Sequence, residues 1–262
     1  MNLNNLKKLS GDASFRTFYR KKKTVLVHCK KDKKINLANY VAVNKILIKN
    51  KILAPRLILE NYKNNYIEIE DFGDLTVFKK FKEKKINKIF YYKKIIKLLQ
   101  KIQRIKIRKM KTFLKSTYKI SNYSKNKLIS EANLFLEWYL PKYIKGNKKN
   151  VIQKKISKIF RILINKLIYK KKVFVHRDFH VSNIMITKNN LGLIDSQDAI
   201  YGNIAYDLAS LIDDVRFKSD IKTKKIVFNE FLKNNNSLNN RKFQNDFEIL
   251  SVMRNLKIIG IF

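Results

Sequence analysis

The sequence predicts an α+β fold in two parts, a small β-rich N-terminal lobe over residues 1–72 and a larger helical lobe over residues 73–262. Two observations carry this. Signals in the order β-β-α-β-β end near residue 71, and apolar residues at helical spacing dominate from about residue 76 onward. A chain of 262 residues, 45% hydrophobic and 12% aromatic, is large and apolar enough to bury a core.

In the first part, Phe15, Thr17 and Tyr19 alternate with polar neighbours. Lys21–Lys23 then make a turn, and Thr24–His28 form a β-branched run. Residues 36–52 carry apolar residues at helical spacing, and Ala54-Pro55 is read as their stop. Residues 56–60 and 66–70 read as a second strand pair around an Asn-rich turn. Beyond them, Ile86, Ile89, Phe90, Ile96, Leu99, Ile102 and Ile105 mark a helix inside a stretch, 76–170, that reads as helical throughout. Further helices are predicted over about 125–144 and 151–169, with the Lys-rich segment 145–150 as a solvated turn between them. Two short apolar strands follow, Val173–Val175 and Leu191–Ile194, and residues 205–262 read as helical again. No internal repeat or long linker interrupts the pattern.

The formal charge of +39 comes from 49 Lys and 10 Arg against 20 acidic residues. Such a charge fits a nucleic-acid or anionic-membrane binder. It also fits base composition, because Lys, Ile and Asn share A/T-rich codons. The second reading is preferred: Arg, the residue suited to bidentate phosphate and base contacts, is scarce, and the lysines are spread over the whole chain. No specific nucleic-acid partner is expected. The short, broken apolar runs give no membrane span, and the N-terminus has no apolar core of a signal peptide. Cys29 is the one cysteine, which excludes a disulfide framework. A soluble cytoplasmic protein is expected.

The chemistry-bearing segment is residues 173–199, VFVHRDFHVSNIMITKNNLGLIDSQDA. His176-Arg177-Asp178, then Asn183 five positions after Asp178, then Asp195 at the end of the next strand, match the catalytic-loop pattern of protein-kinase-type phosphoryl transfer. The spacing has a physical reason. A loop leaving a strand places Asp178 to accept the proton of an attacking hydroxyl, and Asn183 and Asp195 offer the hard oxygens that Mg²⁺ requires beside nucleotide phosphates. Reading His176, Asp178 and His180 as a metal cluster is weaker, since the only other histidine is His28. Asp71-Phe72-Gly73 spells a kinase metal-binding triplet, but it precedes the catalytic loop. It sits where a hinge between lobes would contact adenine, or where an ordinary turn would lie.

Gly11-Asp12-Ala13-Ser14-Phe15-Arg16, Glu70 to Asp74, Glu131 to Leu140, the catalytic loop, Ile194 to Ala199 and Ala205-Tyr206-Asp207-Leu208 together resemble the aminoglycoside-phosphotransferase-like kinases. Within them they resemble the bacterial cell-wall-recycling kinases of N-acetylmuramate and N-acetylglucosamine. The resemblance runs from about residue 8 to the end. It implies a two-lobed protein-kinase-like fold, ATP and Mg²⁺ as cofactors, and a small-molecule sugar as acceptor, phosphorylated on its anomeric hydroxyl. A monomer is expected. Asp178 matches the catalytic aspartate, and Asn183 and Asp195 match the magnesium ligands. Gly11, Asp12, Ala13 and Ser14 match the loop over the phosphates, and Glu70 and Phe72 fall at the nucleotide hinge. His176 and Asp207 match structural positions, Asp207 bonding the catalytic-loop backbone.

Candidate sugar-binding residues are Glu131, Trp138, Gln197, Asp198 and Asp213. Helix capping for Glu131 and core packing for Trp138 are the competing readings. Three departures stand out. The strand TVLVH lacks the small-lobe lysine that usually meets the α/β-phosphates, although Lys30 and Lys31 follow; the sugar-kinase subgroup also tends to lack it. Ser196 replaces a usual Phe, which is read as a modest packing change. The pattern also expects more of the large lobe after the terminal NLKIIGIF. Other acceptors, such as an aminoglycoside, choline or a protein hydroxyl, and a non-catalytic RNA- or membrane-binding role on the same fold, are the alternatives.

Overall fold

A computed structural model describes residues 6–9, 15–83, 86–188 and 190–262. Gly11, Asp12, Ala13 and Ser14, expected over the phosphates, lie outside the described residues. In chain order the elements are β1 (Lys7–Lys8), β2 (Arg16–Arg20), β3 (Thr24–Cys29), α1 (Ile35–Lys49), β4 (Leu57–Asn61), β5 (Tyr66–Glu70), α2 (Val77–Lys82) and α3 (Lys88–Gln103). Then come β6 (Lys109–Lys111), β7 (Thr117–Lys119), α4 (Lys125–Leu134), α5 (Gly146–Asn165), β8 (Lys172–Val175), β9 (Ile184–Ile186) and β10 (Leu191–Leu193). The chain closes with β11 (Ile200–Asn203), α6 (Tyr206–Ile212), α7 (Ile221–Lys233) and α8 (Asn240–Ile261). The expected α+β class is present, and the chain forms two compact units that are each discontinuous in sequence.

The first unit draws on Met1–Ile86, Ile105–Ile120 and Val181–Ala199. Its antiparallel sheet has the order β1-β2-β3-β5-β4. Strand alternation sends Val25, Val27, Ile67 and Ile69 to one face, where they bury against Leu37, Tyr40 and Val41 of α1. Helix α1 ends at Lys49, well before Pro55. Lys51 turns left-handed at φ 58°, and the Asn50 side chain bonds the Ile46 carbonyl, so local backbone rather than the proline stops it. Strands β9 and β10 pair antiparallel in this unit, and Leu193 N–H bonds the Leu53 carbonyl.

The second unit comprises Asn87–Arg104, Ser121–His180 and Ile200–Phe262. Phe174, Phe179, Tyr206, Phe231 and Phe243 are fully buried in it, and every residue of α6 is buried. Gly260 of α8 packs directly on the α4 backbone: a Cβ there would lie 2.4 Å from Phe135 N. Only glycine permits that approach. Just past α4 the helix widens into a π turn over Phe135–Tyr139.

The expectation of helix throughout 76–170 fails in one place, and the turn expected at 145–150 is absent. Residues 109–119 form the β6–β7 hairpin, where Met110 and Tyr118 pair among lysines. Lys115 takes φ 61° in its turn, and Thr112 Oγ1 accepts from Leu114 N–H. Residues 146–150, read as a solvated turn, are the first part of α5, and its exposed lysines give that amphipathic helix its polar face. Strands β9 and β11 were not expected from the sequence, although β8 and β10, equally short, were.

Candidate active site

In the second unit, β8 delivers its last residue, Val175, into the loop His176–His180. The buried Asp207 at the start of α6 accepts from the backbone N–H of His176 at 2.7 Å and of Arg177 at 3.0 Å. Burial pushes the Asp207 carboxyl up to about 7 despite these two bonds. His176 is itself fully buried, edge-on to Phe179 at 6.3 Å between ring centroids. Arg177 sits at φ 76°, a left-handed conformation that costs a non-glycine residue about 1–3 kcal/mol. Its guanidinium bonds Glu131 Oε1 at 2.6 Å and lies over the Tyr123 ring at 5.6 Å.

Glu131 also accepts from the Tyr123 hydroxyl at 2.5 Å and pairs with Lys257 at 3.3 Å. Burial alone would raise its carboxyl; the Arg177 and Lys257 charges and the Tyr123 hydroxyl outweigh it and hold it low. Glu131 thus anchors Arg177 of the His176–His180 loop and is not a helix cap. Asp178 shares this environment. Its burial works against ionisation, but Lys257, His180, Arg254 and Arg177 together keep its carboxyl below the usual carboxylate range. His180 is pushed down to about 3, first by burial and then by Arg216.

In the first unit, β9 and β10 bring the two expected magnesium ligands together. Ile194 N–H bonds the Asn183 carbonyl at 3.1 Å, which sets Asp195 beside Asn183 along the hairpin. Asp195 takes φ 62° and leaves its side chain 38% exposed. Gln197 Nε2 bonds Asp195 Oδ1 at 3.0 Å and Asp198 Oδ2 at 3.1 Å, so three of the expected residues share one turn. The Ser196 position is more than a packing change. Its hydroxyl, fully buried, donates to Asn44 Oδ1 of α1 at 2.5 Å, and Asn44 in turn donates to the Pro55 carbonyl. The Tyr40 hydroxyl, beside Asn44 and the Asp195 backbone, is pushed up to about 12 by burial.

One carboxylate and one amide oxygen on adjacent backbone suit Mg²⁺, which takes few protein ligands and completes its shell with phosphates and water. Among the described residues no group of three His, Cys, Asp or Glu forms a metal cluster.

The remaining expected residues are placed as follows. Glu70 ends β5, and its N–H bonds the Arg56 carbonyl. The Phe72 ring covers Gly192, where a Cβ would approach it to 2.8 Å. The neighbouring Asp71 and Asp74 pair with Arg20 at 2.6 Å each, so the kinase-like triplet is a turn clamped by an arginine. Asp213, at the end of α6, is held by Lys224 and Ser251. Trp138 is 66% exposed on the π turn, which rules out the core reading for it. Reading the sequence missed Arg16, whose guanidinium lies 3.6 Å from Asp195 Oδ1, and the cations Arg254 and Lys257. A faint signal was available for Arg16 and Arg254: each is an arginine kept in a chain that otherwise uses lysine.

The His176-Arg177-Asp178 loop and the Asn183/Asp195 hairpin each match the sequence pattern of a kinase-type phosphotransferase. The chain belongs to the phosphotransferase enzyme family, whose model matches residues 5–234. It is similar to an N-acetylmuramate/N-acetylglucosamine kinase of Neisseria meningitidis, 26% identical over 97% of this chain and 76% of that protein. The corresponding kinase of Pseudomonas aeruginosa is 23% identical over 97% of this chain and 74% of its own length. Among solved structures, ADP-bound aminoglycoside phosphotransferase APH(2'')-Ib superposes with a TM-score of 0.64 at 14% identity, over 98% of this chain and 95% of that one. Among the described residues no helix is long and apolar enough to cross a membrane.

Proposed function

We propose that this phosphotransferase moves the γ-phosphoryl group of MgATP to the anomeric hydroxyl of an amino sugar, N-acetylmuramate or N-acetylglucosamine. The observation that carries the reading is Asp178: a carboxylate kept ionised by surrounding cations, in a loop whose backbone is fixed by Asp207. An ionised Asp178 accepts the hydrogen bond of the acceptor hydroxyl and takes its proton as the new O–P bond forms. Asn183 and Asp195 would hold Mg²⁺, which neutralises phosphate charge when bound. The two similar bacterial kinases support the acceptor. The cations Arg177, Arg254 and Lys257 around Asp178 suit a neutral or anionic sugar better than a cationic aminoglycoside or choline.

An ATP-consumption screen over N-acetylmuramate, N-acetylglucosamine, other sugars, aminoglycosides and choline tests this. Turnover is expected with the two amino sugars, and Asp178→Ala is expected to lower kcat by about 10²–10⁴, the usual worth of a general base. Turnover confined to aminoglycosides or choline would overturn the acceptor. Near-normal kcat in the variant would overturn the role of Asp178.

A further inference from the structure

Helix α5 presents more than lysines to its surroundings. Its sequence, GNKKNVIQKKISKIFRILIN, holds the cations Lys148, Lys149, Lys154, Lys155, Lys158 and Arg161 and no acidic residue. Phe160 and Ile164 bury on one side of the helix. On the opposite side Val151, Lys155, Ile159 and Ile162 follow at i, i+4, i+8 and i+11, which is one helical face. Val151, Ile159 and Ile162 are 52, 51 and 46% exposed there. A helix face that only meets water carries polar side chains at such positions. A composition rich in Lys and Ile explains how many of them there are, but not three half-exposed aliphatic side chains gathered on one face. The segment leading into α5 adds two more exposed apolar groups, Trp138 and Tyr143.

An exposed aliphatic stripe among lysines, with Trp and Tyr at its approach, has the chemistry of a helix lying in the headgroup layer of an anionic bilayer. The lysine stems cover apolar surface while their ammonium groups reach lipid phosphate. A nucleic-acid strand would use the cations and leave the aliphatic stripe in water, so the bilayer is the better match.

We propose that the outward face of α5, together with Trp138 and Tyr143, is a docking surface for an anionic lipid bilayer. It lies on the membrane and does not cross it.

The test is co-sedimentation of the full chain with vesicles of equimolar phosphatidylglycerol and phosphatidylcholine, and with vesicles of phosphatidylcholine alone. Capture is expected with the mixed vesicles and not with the neutral ones. Trp138 is the one tryptophan of the chain, so its emission should shift to the blue with the mixed vesicles only. Ile159→Ser/Ile162→Ser keeps every charge and should weaken capture about tenfold or more, through lost apolar burial. Lys155→Gln/Lys158→Gln should also weaken it about tenfold or more, through lost attraction to lipid phosphate. Melting curves check that the variants fold, and the wild-type results decide if they do not. No capture by the mixed vesicles, equal capture by the neutral ones, or an unshifted Trp138 emission overturns the proposal. Wild-type-like capture of Ile159→Ser/Ile162→Ser also overturns it, because the surface would then be a purely electrostatic one of the kind that RNA binds. Wild-type-like capture of Lys155→Gln/Lys158→Gln overturns the choice of an anionic surface.

Discussion

The loop carrying Asp178 and the turn carrying Asp195 solve similar backbone problems with different chemistry. Each contains a non-glycine residue in the left-handed region, Arg177 at φ 76° and Asp195 at φ 62°. The Asp178 loop is held by charge: a fully buried carboxylate grips its backbone, and Glu131 grips its arginine. The Asp195 turn is held largely by neutral bonds from α1, Ser196 to Asn44 and the Tyr40 hydroxyl to the Asp195 backbone. This contrast locates where pH can act. A loop fixed by buried ionisable groups feels protonation, whereas a turn fixed by amides and hydroxyls does not.

The hardest blow to this contrast falls on Asp207. Asp207→Ala removes the acceptor of the His176 and Arg177 backbone N–H groups, at about 1–3 kcal/mol each, so a loss of about 2–6 kcal/mol in chemical denaturation is expected. A loss under about 1 kcal/mol, the worth of a single ordinary hydrogen bond, would mean the loop is not held through that carboxylate.

Next comes His180. With a folded value of about 3 against 6.5 unfolded, the unfolded chain binds the extra proton between those limits. Its share of stability is therefore present above about pH 6.5 and drains away as pH falls toward 3. Asp207 has the opposite sign: raised from 3.8 to about 7, it favours the fold at low pH and loses that contribution as pH climbs across this window. Comparing His180→Gln with wild type at about pH 7.5 and about pH 5 isolates the histidine, and the variant should escape about 2 kcal/mol of acid destabilisation. Parallel melting curves at both pH values would remove His180 from the account.

Removing Lys257 carries the same point into activity. Lys257→Met withdraws the leading charge that holds the Asp178 carboxyl low, so the acid limb of kcat/KM should move to higher pH. An unmoved limb would show that Lys257 does not tune the base. The smallest effect belongs to the neutral turn. Ser196→Ala removes one buried hydrogen bond and should cost about 1 kcal/mol, with no change in the pH dependence of unfolding. A pH-dependent loss there would erase the distinction between the two loops.

Much of this architecture is legible in the order of the amino acids. The strands around Thr24–His28 and residues 66–70, and the helix near 36–52, are legible as a β-branched apolar run, a strand pair around an Asn-rich turn, and apolar residues at helical spacing. His176-Arg177-Asp178, Asn183 and Asp195 stand out for a different reason: the scarce His, Arg and Asp at fixed spacing, with Asn183 at the matching offset. The hairpin at 109–119 does not show, because Lys-rich strands look like the polar face of a helix. Lys257 is equally hidden, as one lysine among 49.

The α+β class, the catalytic-loop pattern and the scarcity of arginine therefore belong to the sequence, because periodicity, spacing and composition are properties of the chain before it folds. Folding in three dimensions was needed to bring residues 105–120 and 181–199 into one unit with the N-terminal strands. It also set Arg16 beside Asp195 and gathered Arg254 and Lys257 near Asp178. Those pairs are far apart along the chain, and the burial that gives each charge its effect exists only once the core has closed.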